Sequence, residues 1–238
     1  MKAFLLAAGH GTRLRPLTNR IPKCLVPIRG VPLLAIWLEI CRRYGVDEVL
    51  VNLHSQAQMV RDFVAKAHID IRVRLFEEPI LLGSAGTLRA NRTWVASESC
   101  FWVFYADILT TANLARMADF HRQHRGVATL GVCRVADPSR SGIVVVDKGG
   151  AVRQFIEKPE NPPGNLAFGG ILLARPELLK SVPEEGPADL GREVLPRLVN
   201  RMFAYQITDY HLDIGTPESY SAAQTGWPGL VASTGVLP

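Results

Sequence analysis

The chain has 238 residues, of which 47% are hydrophobic and 21% charged, proportions typical of a soluble globular protein with an ample core. Its net charge of +5 suits small anionic ligands, and the absence of a lysine or arginine block argues against a nucleic-acid partner. The apolar runs are too short to span a bilayer and no leader peptide is evident, so we expect no membrane partner and a cytoplasmic location. Four widely spaced cysteines argue against structural zinc and disulfide bonds.

The first predicted strand and the loop that follows it form the most informative stretch. Residues 3–8 are an uncharged apolar run, the length of a strand buried on both faces. The loop begins with Gly9-His10-Gly11, where glycine allows positive φ and a close approach of the backbone to a ligand. Backbone N–H groups in such a loop can surround a phosphate, and Arg13, Arg15 and Lys23 add positive charge. The stretch predicts a polyphosphate site, with an ordinary turn carrying surface arginines as the alternative.

Two familiar nucleotide motifs fit this loop poorly. Leu14 stands where the dinucleotide fingerprint needs its third glycine, and the next strand ends in Asn52 and His54 instead of a ribose-binding acid. No G-x-x-x-x-G-K-[ST] sequence follows the first strand. The pattern therefore disfavours both a Rossmann dehydrogenase and a P-loop protein.

Helices and strands alternate through the first half of the chain. Proline at a first helical position and glycine just past the end predict a helix at residues 32–44. The other predicted elements are a strand at 49–53, a helix at 56–67, a strand at 71–76, a helix at 85–94 and a strand at 101–105. The last strand is wholly apolar and aromatic, as expected of a central parallel strand. The alternation predicts an α/β sheet with right-handed crossovers.

The pattern changes in the second half, where predicted strands follow one another directly. They lie at residues 127–135, 142–147, 151–157 and 169–174. Asp147-Lys148-Gly149-Gly150 predicts a hairpin turn between the second and third of them, so antiparallel strands should join the sheet. A final helix is predicted at residues 217–223, with Thr216 as N-cap and Pro217 at the first position.

Two aspartates end predicted strands, at the edge of the sheet where α/β proteins bind ligands. Asp107 closes the apolar strand, and Asp213 closes the short run that begins at Tyr210. Mg²⁺ usually takes one or two carboxylates from a protein and completes its shell with phosphate oxygens and water. The two residues are therefore candidate metal ligands, and each taken alone also fits a cap or turn aspartate.

Two further segments are candidate substrate contacts. Lys158 follows Glu157 at the end of a strand, where its charge could reach a phosphate or simply be solvated. Gly83-Ser84-Ala85-Gly86-Thr87 places small residues before a helix, which allows a flat base or a sugar to approach closely. No histidines have metal-ligand spacing and no Ser/His/Asp order stands out, so covalent catalysis is not indicated.

Taken together, these segments resemble the sugar-1-phosphate nucleotidylyltransferases over residues 1–222. The most specific match is L-A-A-G-x-G-T-R-L-R-P-L-T at residues 6–18, followed by P-K-x-L-V-P at residues 22–27. Further blocks in the family's order are G-S-A-G at 83–86, Y-A-D at 105–107, G-I-V-V-V-D at 142–147, E-K-P at 157–159, R-E-V-L-P at 192–196 and D-I-G-T-P at 213–217.

The resemblance implies a Rossmann-like α/β fold of the GT-A type: a mixed, mostly parallel sheet flanked by helices, with an antiparallel sugar-binding portion in the second half. We expect one nucleotidyltransferase domain at residues 1–226 and a loosely ordered tail at residues 227–238, in a monomer or homodimer. In the implied reaction, an oxygen of a sugar 1-phosphate attacks the α-phosphorus of a nucleoside triphosphate and pyrophosphate leaves.

The resemblance also implies roles for individual residues. Arg13, Lys23 and Lys158 would be catalytic, and Asp107 and Asp213 would share a Mg²⁺ ion. The residues expected to hold the nucleotide are Leu6, Ala7, Ala8, Gly9, Gly11, Thr12, Gly83 and Ser84. The residues expected to hold the sugar 1-phosphate are Gly142, Glu157, Lys158 and Gly170.

Two departures from the family pattern concern the metal and sugar sites. Ala106 replaces a glycine that often precedes the metal aspartate, and the carboxylate is kept. Phe168-Gly169-Gly170 stands where many members have Asn-Ala-Gly, which removes a hydrogen-bonding amide from the sugar pocket.

The substrates implied by the resemblance are GTP and a mannose- or heptose-type 1-phosphate, because the G-S-A-G and R-E-V-L-P blocks are most similar to mannose-1-phosphate guanylyltransferases. One alternative is a dTTP- or UTP-dependent glucose-1-phosphate enzyme. Another is a non-catalytic sugar-nucleotide-binding protein, which would be expected to lose Lys23, Lys158 or an aspartate. A metal-dependent glycosyltransferase is disfavoured because Asp107-Ile108-Leu109 is not a D-x-D motif.

Overall fold

A nine-stranded mixed sheet runs through the described part of the molecule, which in this computed structural model comprises residues 1–67 and 70–230. The strands are β1 (Lys2–Leu6), β2 (Pro27–Ile28), β3 (Val31–Pro32), β4 (Glu48–Leu53), β5 (Arg72–Glu77), β6 (Phe101–Tyr105), β7 (Ile108–Thr110), β8 (Ala128–Arg134), β9 (Gly142–Val146), β10 (Val152–Glu157), β11 (Leu166–Ala174), β12 (Met202–Gln206) and β13 (His211–Asp213). The helices are α1 (Leu33–Arg43), α2 (Ala57–Lys66), α3 (Gly83–Ala90), α4 (Leu114–Arg122) and α5 (Pro217–Gly226).

The first half of the chain builds the parallel part of the sheet, in the order β5-β4-β1-β6. These strands are apolar because both faces of the sheet are covered. Phe4 and Leu5 point to opposite faces of β1 and are both fully buried. Leu5 shares a core with Trp37 of α1, whereas Phe4 packs against Trp94 with ring centroids 5.0 Å apart. The predicted α/β architecture is confirmed.

The second half of the chain adds the antiparallel strands beside β6. β11 pairs with β6, β8 and β9, and β9 and β10 form a hairpin. In the hairpin turn, Gly150 N–H donates to the carbonyl oxygen of Asp147 at 3.1 Å, and Gly150 has a φ of +81° that suits glycine. The predicted hairpin and the mixed sheet are confirmed.

A separate two-stranded ladder brings the two candidate metal ligands together. β13 pairs with β7 so that Asp213 lies opposite Ile108, the residue that follows Asp107. Ile214 N–H donates to the carbonyl oxygen of Asp107 at 2.8 Å, which fixes this register. α5 then begins as predicted, because the hydroxyl of Thr216 accepts a hydrogen bond from the third residue of the helix.

Some elements differ from the sequence prediction. The predicted helix at residues 85–94 divides at Asn91, whose side-chain amide donates to the carbonyl oxygen of Thr87 at 3.0 Å. α4 was not predicted, because its buried face carries His121 and its apolar period is interrupted there. β12 was not predicted either, since it is a short, partly exposed strand; it pairs with β8 and forms one further bridge, between Phe203 and Ala151.

The beginning of the predicted tail is packed against the domain. Trp227 is 5% exposed, and its ring lies 5.3 Å from that of Tyr210, because burial of so large an apolar surface is favourable. Residues 231–238 lie outside the described residues, so the predicted tail and the domain boundary stay predictions. Within the described ranges, no helix has the length and apolar character needed to cross a membrane.

Candidate active site

The loop after β1 is anchored by a polar side chain of the neighbouring strand. Asn52, at the carboxyl end of β4, accepts hydrogen bonds from the backbone N–H groups of Ala7 and Ala8, at 2.6 and 3.3 Å. These two N–H groups therefore serve the protein's own structure. Leu6, Ala7 and Ala8 still line the cavity at the end of the sheet with their remaining atoms.

The next residues of the loop leave backbone donors available. Within residues 1–67 and 70–230, no group accepts a hydrogen bond from the N–H of Gly9, Gly11 or Thr12. Gly11 has a φ of +61°, and a Cβ at this position would lie 3.0 Å from the side chain of Thr18. Thr18 also donates its hydroxyl proton to the carbonyl oxygen of Gly11 at 2.7 Å. The loop is thus held in a form that suits an anion.

A buried carboxylate network lies behind this loop. Glu78 is 1% exposed, and its Oε1 accepts hydrogen bonds from Asn52 Nδ2 at 2.9 Å and from the Thr87 hydroxyl at 2.5 Å. Its Oε2 accepts one from Leu82 N–H at 3.0 Å. Both Asn52 and Glu78 line the cavity. Neither residue was predicted to belong to the site, although the polar Asn52 within a buried apolar strand was a usable signal.

The wall of the cavity opposite the loop is the start of α3. Gly83 and Ser84 line the cavity there, together with Leu81. Gly83 has a φ of +76°, and a Cβ there would lie only 2.4 Å from the carbonyl oxygen of Ala188. Residue 83 must therefore be glycine because the backbone of Ala188 packs directly against it.

The two aspartates meet around a lysine at the edge of the cavity. Lys23 Nζ lies 2.6 Å from Asp107 Oδ2 and 3.8 Å from Asp213 Oδ1. Arg13 approaches the same group from the other side, with its Nη2 3.9 Å from Asp213 Oδ2. Lys23 is largely buried, whereas the Arg13 side chain is 54% exposed. Four predicted site residues from distant parts of the sequence thus converge at one place.

The electrostatics of this cluster fit a divalent cation. Burial, and then the negative charge of Asp107, raise the pKa of Asp213, while Lys23 and Arg13 act in the opposite direction. Two carboxylates that repel each other at a cavity edge gain from a shared cation, and phosphate oxygens and water can complete its octahedral shell. No cluster of three or more His, Cys, Asp or Glu side chains occurs in the described ranges, which is compatible with a site that takes two carboxylates only.

The predicted sugar-phosphate residues lie on the β9–β10 hairpin. Gly142 pairs with Glu157 across the hairpin, and a Cβ on Gly142 would lie 2.8 Å from Glu157 Oε2. Lys158 Nζ lies 3.6 Å from Glu157 Oε1. Lys158 has a φ of +49°, an unusual conformation for a lysine, and its N–H donates to the carbonyl oxygen of Ser141 at 3.0 Å. Burial raises the pKa of Glu157, and the charge of Lys158 lowers it.

Gly170 occupies a position where a side chain would not fit. Its φ is +72°, and a Cβ there would lie 3.0 Å from Ile108 and 3.1 Å from Tyr105. The neighbouring Phe168 packs edge-on against Tyr105, with ring centroids 5.8 Å apart. This chain therefore presents aromatic surface where many family members have the amide of an asparagine.

Tyr105 and Asp189 also line the cavity and were not predicted to belong to the site. Tyr105 is the last residue of β6, and its pKa is raised by burial and by the negative charge of Asp189. Asp189 itself lines the cavity and accepts a hydrogen bond from the Ser84 hydroxyl at 2.8 Å. Its position in a non-periodic loop gave no signal in the sequence.

Known proteins with similar sequences identify the family of this chain. The sequence profile described as Nucleotidyl transferase matches residues 2–227. A protein of Oryza sativa subsp. japonica named "Probable mannose-1-phosphate guanylyltransferase 1" is 35% identical over 227 residues, which cover 92% of this chain and 63% of the relative. Mannose-1-phosphate guanylyltransferase 1 of Arabidopsis thaliana is 33% identical over the same shares of both chains. The chain therefore spans 63% of the length of these relatives.

Solved structures share the fold. HddC from Yersinia pseudotuberculosis, complexed with GMP-PN, has a TM-score of 0.78 at 23% identity, covering 94% of this chain and 97% of that chain. UDP-glucose pyrophosphorylase from Acinetobacter baumanii has a TM-score of 0.81 at 20% identity, covering 94% and 91%. Because the family profile extends over nearly all of the sequence, the chain belongs to the nucleotidyl transferase family.

Proposed function

We propose that this chain is a mannose-1-phosphate guanylyltransferase, which joins GTP and mannose 1-phosphate into GDP-mannose and releases pyrophosphate. The observation that carries the proposal is the convergence of Asp107, Asp213 and Lys23 at the edge of the cavity that the glycine loop also lines. Relatives of that name are 33% to 35% identical over 92% of the chain.

The chemistry follows from charge. A phosphate oxygen of mannose 1-phosphate forms the new bond to the α-phosphorus of GTP, and the bond between the α-phosphorus and the bridging oxygen breaks. The electron pair leaves on pyrophosphate, so no oxidant or further reactant is needed. The nucleophile is already an anion, and therefore no general base is required. The barrier comes from the repulsion between two anions and from the charge that develops on the leaving group.

The residues of the site act on both parts of that barrier. Lys158 would hold the phosphate of the sugar, and Lys23 and Arg13 would neutralise charge on the nucleotide phosphates. Fixed cations of this kind lower a barrier by positioning the reactants and by stabilising developing charge. Asp107 and Asp213 would hold Mg²⁺, which when bound adds positive charge at the phosphates. Gly9, Gly11 and Thr12 would donate their N–H groups to the same phosphates.

The buried carboxylate of Glu78 supports guanine as the base. Carboxylate oxygens accept hydrogen bonds, and among the described residues Leu82 N–H is the one partner of Glu78 Oε2, so this oxygen can accept another. Guanine presents two adjacent donor groups, N1–H and N2–H, on one edge. Uracil and thymine present a single N–H between two carbonyl oxygens, which a carboxylate repels. Glu78 therefore favours GTP over UTP and dTTP.

The proposal is tested by measuring pyrophosphate release from a matrix of substrates with Mg²⁺. The matrix combines GTP, ATP, CTP, UTP and dTTP with mannose, glucose and heptose 1-phosphates. We expect the fastest release from GTP with mannose 1-phosphate. Absence of release from every pair by folded protein would contradict the proposal and favour a non-catalytic sugar-nucleotide-binding protein.

A second candidate is a glucose-1-phosphate nucleotidylyltransferase that uses UTP or dTTP. The likeness of fold to a UDP-glucose pyrophosphorylase, at a TM-score of 0.81, is compatible with it. The same matrix decides between the two functions. Release that is fastest from UTP or dTTP with glucose 1-phosphate would replace the guanylyltransferase by this candidate.

A further inference from the structure

The loop between the two substrate regions is organised by the side chain of Asp189, whose own N–H donates to Glu193 Oε2 at 2.6 Å. Asp189 precedes a π-helical turn at Leu190–Val194, an uncommon geometry that is frequent at functional sites. Its Oδ1 accepts hydrogen bonds from the N–H groups of Gly191 and Arg192, at 2.9 and 3.1 Å. The carboxylate therefore fixes the backbone at the start of this turn.

The same side chain is bonded to the wall of the nucleotide cavity. Asp189 Oδ2 accepts the hydroxyl proton of Ser84 at 2.8 Å, and the Ser84 oxygen accepts a hydrogen bond from Leu190 N–H at 2.7 Å. The backbone reinforces this link, because the N–H groups of Ala85 and Gly86 donate to the carbonyl oxygen of Ala188, at 2.8 and 3.1 Å. The nucleotide wall and this loop are thus one hydrogen-bonded unit.

The other end of the loop lies directly against the sugar side. A Cβ on Gly191 would stand 2.5 Å from Glu157 Oε2, closer than real contacts allow. The Glu157 carboxylate therefore packs directly against the backbone of Gly191, and it also packs against Gly142. A displacement of the turn must move Glu157 or be blocked by it, because close-packed groups transmit strain.

We propose that Asp189 is a positioning residue that couples the two subsites, so that GTP bound against Ser84 strengthens the binding of mannose 1-phosphate beside Glu157, and the reverse. The coupling runs from Ser84 through Asp189 to Gly191 and Glu157. It rests on the proposed function for the identity of the two ligands. Thermodynamic linkage requires the effect to be equal in both directions.

The test is isothermal titration calorimetry of mannose 1-phosphate with and without a saturating non-hydrolysable GTP analogue and Mg²⁺. The ratio of the two dissociation constants is the coupling factor, which we expect to be at least about fivefold in the unmodified protein. Ser84→Ala removes the side-chain part of the link and keeps the Asp189 carboxylate and the backbone hydrogen bonds to Ala188, so the factor should fall clearly below that of the unmodified protein. Asp189→Ala should do the same. Asp189→Asn can keep part of the bonding and should restore part of the coupling.

Gly191→Ala tests the sugar end of the same path. The added methyl group would displace the Glu157 carboxylate, so the affinity for mannose 1-phosphate alone should fall about tenfold while the affinity for the GTP analogue alone is kept. Gly164→Ala is the matched control, since nothing lies within 4 Å of a Cβ at that position. A merely structural Asp189 would lower the melting temperature of the variants and leave the coupling factor unchanged.

The possible outcomes separate this inference from the proposed function. A coupling factor of about one in the unmodified protein, or an equal factor in Ser84→Ala, overturns the role of Asp189 and leaves guanylyl transfer standing. Should Asp189→Ala fail to fold, Ser84→Ala and Asp189→Asn decide the question. Failure of the unmodified protein to bind either ligand would instead contradict the proposed function.

Discussion

The nucleotide region and the sugar region of this protein are built by different means. The phosphate loop of the nucleotide region is continuous in sequence; it follows β1 and is tied to β4 by the hydrogen bonds of Asn52. The sugar region is assembled from distant segments, and glycines leave room in it for neighbouring side chains, such as Glu157 beside Gly142. Substitutions should therefore act through charge and hydrogen bonding in the first region, and mainly through steric exclusion in the second.

The largest effect is expected where the two regions meet. Asp107→Asn keeps the shape of the side chain but removes a charge needed by the metal, so turnover should fall about a thousandfold or more. Pyrophosphate release measures the loss, and circular dichroism checks the fold. The control is Asp119→Asn, an exposed aspartate on α4, which should keep full activity. Near-normal turnover of Asp107→Asn would remove this residue from the metal site.

Lys158 is the residue of the sugar region whose substitution should act through loss of charge and not through steric exclusion. Lys158→Ala should raise the KM for mannose 1-phosphate about 10- to 100-fold, the worth of a charged hydrogen bond, and leave the KM for GTP unchanged. Steady-state kinetics with each substrate varied in turn measures this. Lys148→Ala, in the exposed hairpin turn, is the matched control. An equal rise in both KM values would place Lys158 outside the sugar region.

Steric exclusion can be tested at Gly169, where the side chain nearest to an added Cβ is that of His211. A Cβ there would lie 2.7 Å from Nε2 of His211, which donates a hydrogen bond to the carbonyl oxygen of Gly169 at 2.9 Å. Gly169→Ala should lower the free energy of unfolding by about 2 kcal/mol, as overpacking does. The same change should cost little in a His211→Ala background, because the clashing ring is gone. Urea denaturation of the four proteins measures this, and equal losses in both backgrounds would exclude the clash.

Base selection in the nucleotide region should depend on a single carboxylate. Glu78→Gln keeps the size of the side chain but replaces an acceptor by a donor, so the preference for GTP over UTP in kcat/KM should fall about tenfold. The neighbouring Glu77, which is exposed and paired with Arg61, offers Glu77→Gln as control. An unchanged preference would mean that other atoms select the base.

The smallest effect concerns the acid stability of the strands that support the sugar region. The Thr129 hydroxyl of β8 contacts His121 Nδ1 at 2.8 Å and His124 Nε2 at 3.0 Å. Burial, and then the charge of Arg175, lower the pKa of both histidines to about 4 from a usual 6.5. Between these values the unfolded chain binds more protons than the folded one, so stability should fall as the pH drops from 6.5 to 4.

Thermal melts across this pH range check the prediction. His124→Gln removes one of the two histidines. Acidification from pH 6.5 to pH 4 should therefore lower the melting temperature of this variant by a few degrees less than it lowers that of the unmodified protein. His10→Gln alters an exposed histidine of the nucleotide loop, outside the Thr129 cluster, and serves as the control. If His124→Gln responded to acid like the unmodified protein, the histidine pair would not account for the effect.

The same comparison explains how much could be predicted from sequence. The strand and the loop at residues 1–12 are contiguous, so composition and glycine spacing were sufficient to predict that a buried strand runs into a glycine-containing turn. Asp107 and Asp213 could be expected to approach each other, because both end strands at the same edge of a sheet, and the β7–β13 ladder does bring them together. Glu78 and Asp189 could not be found, since they lie in loops without periodicity and their partners depend on register. The packing of Glu157 against Gly191 likewise could not be predicted, because the two residues are far apart in the sequence and meet only in the folded chain.

The central claim is that Asp107 and Asp213 hold one divalent ion between the two regions. Its most direct test is a calorimetric titration of Mn²⁺ into the complex with a non-hydrolysable GTP analogue, for the unmodified protein, Asp107→Asn, Asp213→Asn and the control Asp119→Asn. The account predicts that either site substitution weakens Mn²⁺ binding at least about tenfold, as loss of one charged ligand should, and that the control binds normally. Normal Mn²⁺ affinity in Asp213→Asn would contradict the shared site.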